Sequence, residues 1–317
     1  MKRKFIIGSR GSKLALWQTG FVKTELEKLF PQTEFDVRII KTTGDVILDT
    51  SLSKIGDKGL FTKQIETALI RQEIDLAVHS LKDLPTTQPE NLIIGAVSSR
   101  ETANDVLISK NYDSIDDLPE NARVATGSLR RRSQLLNYRP DLEIVEIRGN
   151  VPGRIEKFLA SDLDAMILAF AGIHRLKLDT HIKQIIPTDI MLPAVGQGVM
   201  AIEIRDSDAQ IAAMIRELDD AAVKSRVAAE RAFLRSLEGG CQVPIAAFAV
   251  LENEEIYLQG FVGSLNGVKT IRDSMRGNRA EAKSLGENLA KKVLQKGAAQ
   301  ILDEARETSL KAAHEVV

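Results

Sequence analysis

One succession of segments occurs twice in this sequence, and it restricts the fold more than any other feature. Phe5–Arg10 reads FIIGSR and Val124–Arg130 reads VATGSLR; Arg38–Asp45 reads RIIKTTGD and Val145–Asn150 reads VEIRGN. Glu73–Ser80, EIDLAVHS, is matched by Asp162–Ala169, DLDAMILA. In the first half, apolar runs predict strands at Lys4–Gly8, Glu34–Lys41 and Ile74–Val78, with helices over Lys13–Phe30 and Thr62–Glu73. In the second half, strands are predicted at Arg123–Thr126, Leu142–Ile147 and Ala165–Ala169, with helices over Arg131–Tyr138 and Arg154–Ala160. Strands alternating with helices imply a parallel α/β sheet. The order is kept while the spacings differ, so the expectation is two similar domains and not a short-period repeat. Two such domains facing each other make a cleft, and α/β sheets bind ligands beyond the C-terminal ends of their strands.

The segment Leu192–Gly198 reads as a crossover, and Val199–Ile204 as a strand able to return to the first sheet. Asp219–Leu237 is helical and charged. Strand candidates follow at Ile245–Leu251, Ile256–Val262 and Val268–Arg272, then a helix over Ala280–Lys296, which together predict a small α+β domain. Glu304–Val317 is polar or weakly helical and is expected to fray. The expected boundaries are residues 1–98 with 199–217 for the first domain, 104–193 for the second and 220–313 for the third.

Composition narrows the classes of function. A formal net charge of −1 argues against a nucleic-acid-binding surface, and 4% aromatic residues argue against stacking platforms for single strands. One cysteine excludes an intrachain disulfide and a paired-cysteine metal site. The four histidines show no metal-like spacing, so no metal is expected and His79 reads as structural. Phe5–Ile7 is too short for a secretory segment, which needs about 7–15 apolar residues. No run reaches the roughly 18 apolar residues of a membrane span. The expectation is a cytosolic protein.

Arginines stand at the matched strand ends. Arg10 follows Gly8-Ser9, Arg130, Arg131 and Arg132 follow Gly127-Ser128, and Arg148 and Arg154 flank Gly149-Asn150. Glycine permits close approach of a backbone, helix N-termini attract anions, and guanidinium groups bind carboxylates in bidentate fashion. A solvated helix face explains any one of these arginines; their recurrence in both halves favours a ligand bearing many carboxylates. His79–Pro85, HSLKDLP, places hydroxyl, ammonium and carboxylate groups at the end of a predicted strand. A carboxylate there can stabilise a cation or move a proton, although a Lys-Asp pair at a turn has the same sequence trace. In Glu238–Pro244, EGGCQVP, Cys241 occupies a glycine-flanked loop, where a functional thiolate is more plausible than in a core. The stretch from Asp45 to Phe61 is long and polar, as a lid or an ordinary solvated loop would be.

These segments resemble the porphobilinogen deaminase family, also called hydroxymethylbilane synthases. The resemblance is carried, in order, by IGSRGSKLALWQ, KTTGD, KGLFTKQIE, DLAVHSLKDLP, ATGSLRRRSQL, IRGNVPGR, GIHRL, LPAVGQG, ERAFL and EGGCQVP. It implies two domains like type II periplasmic binding domains around a cleft, plus a small α+β C-terminal domain. It also implies a dipyrromethane cofactor in thioether linkage to Cys241, and condensation of four porphobilinogen molecules with loss of ammonia to a linear tetrapyrrole. Asp83 matches the catalytic aspartate. Lys82, Ser80, Thr126, Ser128, Arg130, Arg131, Arg148 and Gly149 match cofactor-binding positions. Arg10, Ser12, Arg154, Arg175, Gln18 and Gln197 match substrate-binding positions, and Lys58 and Phe61 match the lid. The family also implies a monomer. Departures are Pro152-Gly153 before Arg154, where threonine is common, and Ile173-His174 in a variable slot. A non-catalytic binding protein for small anions would share the duplicated domains but needs neither Asp83 nor the cysteine loop. A cysteine-dependent acyl transferase would need a base beside Cys241 that the sequence does not offer.

Overall fold

A computed structural model describes residues 3–46, 59–239 and 243–314. The chain runs through β1 (Arg3–Ser9), α1 (Lys13–Leu29), β2 (Thr33–Ile39), α2 (Thr43–Val46), α3 (Lys63–Ile70), β3 (Leu76–Ser80) and β4 (Leu92–Val97). It continues through β5 (Asp105–Ser109), β6 (Arg123–Ala125), α4 (Leu129–Tyr138), β7 (Glu143–Val145), α5 (Val151–Leu159), β8 (Ala165–Ala169), α6 (Phe170–Arg175) and β9 (Ile182–Ile185). The last elements are β10 (Met200–Arg205), α7 (Ala209–Ile215), α8 (Ala221–Ser236), β11 (Ile245–Glu252), β12 (Glu255–Gly263), β13 (Thr270–Asn278), α9 (Ala282–Gln295) and α10 (Ala298–His314). The described residues fall into two compact units, one of residues 3–46, 59–101 and 198–224, the other of residues 102–197, 225–239 and 243–314.

The first unit is built on a five-stranded sheet of order β2-β1-β3-β10-β4. β1 pairs in parallel with β2 and β3, while β10 is antiparallel to both β3 and β4. The purely parallel sheet expected from the sequence is therefore corrected to a mixed one. The strand–helix–strand rule governs only strands joined by a helical crossover, as β1, β2 and β3 are. β10 arrives from a distant part of the chain and is free of that rule. Phe5, Ile7, Leu26, Phe35, Leu76, Ile202 and Ile204 fill one face of this sheet, and Ile65, Leu69, Ile74 and Ala77 the other. Ser12 caps α1 by accepting from the Ala15 amide at 3.3 Å, which accounts for the helix beginning at Lys13.

The second unit holds a sheet of order β7-β6-β8-β5-β9 with the same wiring. β6 is parallel to β7 and β8, and β5 is antiparallel to β8 and β9. The repeated segments of the sequence are thus repeated topology, two mixed sheets of matching strand order. The same unit contains the antiparallel sheet β11-β12-β13, which packs with α8, α9 and α10 around Phe233, Leu258, Leu289 and Val293. Glu230 of α8 is fully buried and accepts from the amides of Gly196 and Ala249, both at 2.9 Å, tying the Leu192–Gly198 segment to β11.

Two expectations at the C-terminal end are corrected. The third strand of the small sheet runs from Thr270 to Asn278, and Val268 before it is exposed. Glu304–Val317, expected to be polar or weakly helical and to fray, continues the 17-residue helix α10 as far as His314, and its Ala305 lies in the core with Ala298, Ile301 and Leu302 of the preceding turn. Small and apolar residues spaced by three and four along a polar sequence suffice for one buried stripe. Leu302 is 2% exposed, so Leu302→Ala is expected to destabilise this unit by about 2–5 kcal/mol. Urea denaturation checks this; a change near zero would remove the start of α10 from the core.

Candidate active site

In the first unit, six of the residues singled out from the sequence line one pocket. Arg10, Ser12, Gln18, Phe61, Ser80 and Asp83 surround a solvent-open space of about 390 Å³, joined by Leu14, Ala15, Thr62, Val78 and His79. Their convergence follows from the sheet: β1 ends at Ser9 and β3 at Ser80, side by side and parallel. The chain then turns through a short 3-10 segment, Leu81–Asp83, which leaves the Asp83 side chain exposed and Lys82 half-buried. That turn is pinned to the returning strand by the Leu81 amide, which donates to Val199 O at 2.9 Å.

Gln18 is buried on α1 and donates through Nε2 to Ser80 Oγ at 3.0 Å. Arg10 donates to Asp45 from Nη2 at 2.6 Å and from Nε at 3.2 Å, and its guanidinium lies 4.2 Å from the Phe61 ring centroid. Burial works against the Asp45 carboxylate, but Arg10 and Thr42 outweigh it and hold its pKa below the usual carboxylate value. Gly44 makes room for the ring, because a Cβ there would sit 2.1 Å from Phe61 Cε1. Asp45 and Gly44 are thus the structural content of KTTGD. Of the two lid positions, Phe61 belongs to this pocket wall and Lys58 lies outside the described residues.

In the second unit, the strand-end arginines divide. Arg130 and Arg131 are buried on α4, whose N-terminus Ser128 caps. Arg130 Nη1 donates to Asp105 Oδ2 at 2.7 Å and to Leu192 O at 2.8 Å. Arg131 donates to Asp105 Oδ1 from Nη2 at 2.8 Å and to Ile167 O from Nη1 at 3.0 Å. Gln197 adds a third donor, 2.9 Å from Asp105 Oδ1. Burial alone would raise the Asp105 pKa; the two guanidinium groups reverse this and hold it far below the ordinary value. Burial also pulls the Arg131 pKa down, against the attraction of Asp105. Arg132 points elsewhere and donates to Leu265 O at 3.2 Å.

Thr126 is buried at the end of β6 and accepts from the Ser128 amide at 3.2 Å. Arg148 pairs with Glu146 at 2.9 Å, and Gly149 has a φ of 123°, a conformation that favours glycine. Asn150 caps α5 by accepting from the Gly153 amide at 2.9 Å, which places Arg154 in the first turn with Pro152 at a permitted position. Arg175 is buried in the last turn of α6. Cys241 lies outside the described residues; on either side, the Gly239 amide donates to Leu234 O at 2.9 Å and Val243 is buried.

With these placements established, the chain was compared with known proteins. The family model "Porphobilinogen deaminase, dipyromethane cofactor binding domain" matches residues 5–213, and "Porphobilinogen deaminase, C-terminal domain" matches residues 224–295. The chain belongs to the porphobilinogen deaminase family. It is 51% identical over 312 residues to the porphobilinogen deaminase of Chlorobium luteolum, and 50% identical to that of Chlorobium phaeobacteroides. Both alignments cover 97% of this chain and 100% of the relative. Among solved structures, the methionine binding protein MetQ aligns with 68% of this chain and 89% of its own at 12% identity and a TM-score of 0.44. As a porphobilinogen deaminase, the chain is a transferase of tetrapyrrole biosynthesis. It condenses porphobilinogen head to tail on a covalent dipyrromethane, releases ammonia, and frees hydroxymethylbilane by hydrolysis. No helix among the described residues is long and apolar enough to cross a membrane.

The donor set of the second unit fits a dipyrromethane. Two pyrroles bring acetate and propionate groups, and guanidinium groups, the hydroxyls of Thr126 and Ser128 and a glycine amide stand at adjacent strand ends. Sequence reasoning missed Asp105, the hub of this network. A lone Asp opening an unrecognised strand carries no signal until the fold sets it beneath two arginines. Replacing Asp105 by Asn would leave two buried guanidinium groups without their shared counter-charge and is expected to cost about 3–5 kcal/mol. Because the folded-state pKa of Asp105 is depressed, its contribution is present above the unfolded value of about 3.9 and is lost as pH falls below it. Urea melts from pH 7 down to the acid range should show that loss in the native protein. Asp105→Asn should lack that component of the slope.

Proposed function

We propose that Asp83 is the catalytic carboxylate of this deaminase and that Cys241 is the attachment point of its cofactor. The observation that carries this is the exposed Asp83 carboxylate in a pocket it shares with Arg10, Ser12, Gln18 and Ser80. When bound, the dipyrromethane supplies the terminal pyrrole carbon to which the first unit is joined. Loss of ammonia from the porphobilinogen side chain leaves positive charge on its pyrrole. A carboxylate accepting a hydrogen bond from the pyrrole N–H stabilises that charge, provided water is excluded. Asp83 also holds the ring in one orientation for attack.

Arg10 and Ser12 bind the acetate and propionate groups of the incoming unit. Phe61 and Asp45 keep the Arg10 guanidinium in place, and Gln18 orients the Ser80 hydroxyl. In the second unit, Arg130, Arg131, Arg148, Thr126, Ser128 and the Gly149 amide hold cofactor carboxylates; Lys82 is a further cofactor-binding residue. Arg154, Arg175 and Gln197 serve the substrate chain. Lys58 and Phe61 belong to a lid segment. The same reading makes the protein a cytosolic monomer, with its three domains at residues 1–98 with 199–217, 104–193 and 220–313.

Asp83→Ala is expected to leave the fold intact and lower kcat at least about 10²–10³-fold. Circular dichroism and a porphobilinogen-consumption assay read the two effects separately, and unchanged turnover would remove Asp83 from the mechanism. Intact mass of the purified protein should exceed the chain mass by two linked pyrrole units. Cys241→Ala should show the bare chain. Equal excess mass in both would place the attachment elsewhere.

A further inference from the structure

Behind the Asp83 pocket lies a group of ionisable side chains that the reaction described above leaves unused. His79 of β3 lines the pocket and its side chain is 4% exposed. Its Nε2 lies 3.1 Å from Oε2 of Glu203, whose side chain is fully buried on the neighbouring β10. The register sets Ala201 opposite His79 and Glu203 opposite Ala77, so His79 and Glu203 are diagonal neighbours on one face of the sheet. α3 covers that face and brings Glu66, 7% exposed, and Thr62 at its start. Burial, and then the charge of Glu203, push the Glu66 pKa above the ordinary carboxylate value.

The group holds more polar atoms than partners. His79 Nε2, both Glu203 carboxylate oxygens, Glu66 Oε1 and Thr62 Oγ1 are buried and lack an aligned hydrogen bond among the described residues. The nearby cations are committed elsewhere. Arg205, two residues beyond Glu203, donates to Asp208 at 3.0 Å and to Asp75 at 3.3 Å. Arg10, at the pocket wall, is paired with Asp45. β4 carries no ionisable side chain, and Lys4 of β1 pairs with Asp36. Among the described residues, Asp83 is the remaining charged group of the pocket. Among the described residues no lysine or arginine pairs with either carboxyl, and buried carboxyl groups without a counter-cation are costly unless a proton supplies the missing charge. Asp105 is neutralised by two arginines; this group has only an imidazole and whatever protons it holds.

We propose that Glu66, Glu203 and His79 form a shared-proton cluster beneath the Asp83 pocket, and that His79 takes up the proton released from the pyrrole ring carbon at each condensation. The inference rests on the reading of that pocket as the reaction site. In each condensation the methylene carbon forms a bond to the ring carbon, and the C–H bond at that ring carbon breaks. Its electron pair returns to the ring, restoring aromaticity, and its proton passes to the imidazole. Glu203, 3.1 Å from the imidazole, gives the transferred proton a buried counter-carboxylate. The proton then returns to the pocket, where the ammonia freed in the same cycle can leave with it as ammonium. Atoms and charge balance with no further reactant.

The first test needs no active-site variant. Infrared difference spectra of the holoenzyme at neutral pH should contain the C=O stretch of a protonated buried carboxyl, and Glu66→Gln should lack it. A native protein without that band overturns the cluster. The second test is the pH profile of kcat in Glu203→Gln and His79→Gln. Glu203→Gln removes the carboxylate that faces the imidazole, so it should change the shape of the pH profile of kcat. It should also reduce kcat about 10²-fold with little change in KM. Profiles of unchanged shape in both variants would leave the cluster a merely structural role and overturn the proton-uptake step. Asp83→Ala separates the two readings: full activity there would remove the pocket from the reaction, whereas the infrared band would still decide whether the cluster holds its proton.

Discussion

The antiparallel ladder of β10 between β3 and β4 is the constraint on which the first unit depends. Without it β3 would be an edge strand, and the Ser80–Asp83 turn would lose the Val199 carbonyl that receives the Leu81 amide. The same strand brings Glu203 beneath His79. β5 occupies the equivalent place in the second unit, antiparallel between β8 and β9, and begins with Asp105. In both sheets the antiparallel strand next to the edge comes from outside the local strand–helix–strand succession and delivers the buried carboxylate.

The two carboxylates are handled in opposite ways. Asp105 receives hydrogen bonds from two guanidinium groups and a glutamine amide, so its charge is permanent and its geometry is locked. Arg130 and Arg131 in turn are rigid, with the orientation of both set from below before any ligand carboxylate arrives. Glu203 has an imidazole at 3.1 Å and a second carboxyl nearby, an arrangement whose charge depends on protons. A site that holds carboxylates needs the first kind of anchor, and a site that releases a ring proton in every cycle is served by the second.

Much of the site was legible because its residues follow strand ends. Gly8-Ser9-Arg10 and Gly127-Ser128-Leu129-Arg130 mark where β1 and β6 stop, and a parallel sheet places its strand ends on one edge. That is why Arg10, Ser80 and Asp83, far apart in the chain, line one pocket. The mixed sheet was not legible, since β10 and β5 join their partners from outside the local strand–helix–strand succession and carry no local signal of direction. The continuation of α10 past Glu304 was faint for a related reason: its buried stripe of Ala298, Ile301, Leu302 and Ala305 is narrow, and polarity dominates the segment.

The sequence by itself determined the duplicated α/β halves, the family and its chemistry, and it singled out six of the residues that line the first unit's pocket, because these are properties of local order and of motifs a few residues long. Only the tertiary structure decided which partner each charge has. Arg10 was assigned to Asp45 and Phe61, Arg130 and Arg131 to Asp105, Arg132 to the Leu265 carbonyl in the connection between β12 and β13, and His79 to Glu203. The physical reason is range: strand and helix signals arise from neighbours along the chain, whereas the state of a buried charge is set by groups that may lie a hundred residues away and meet it only when the sheets close.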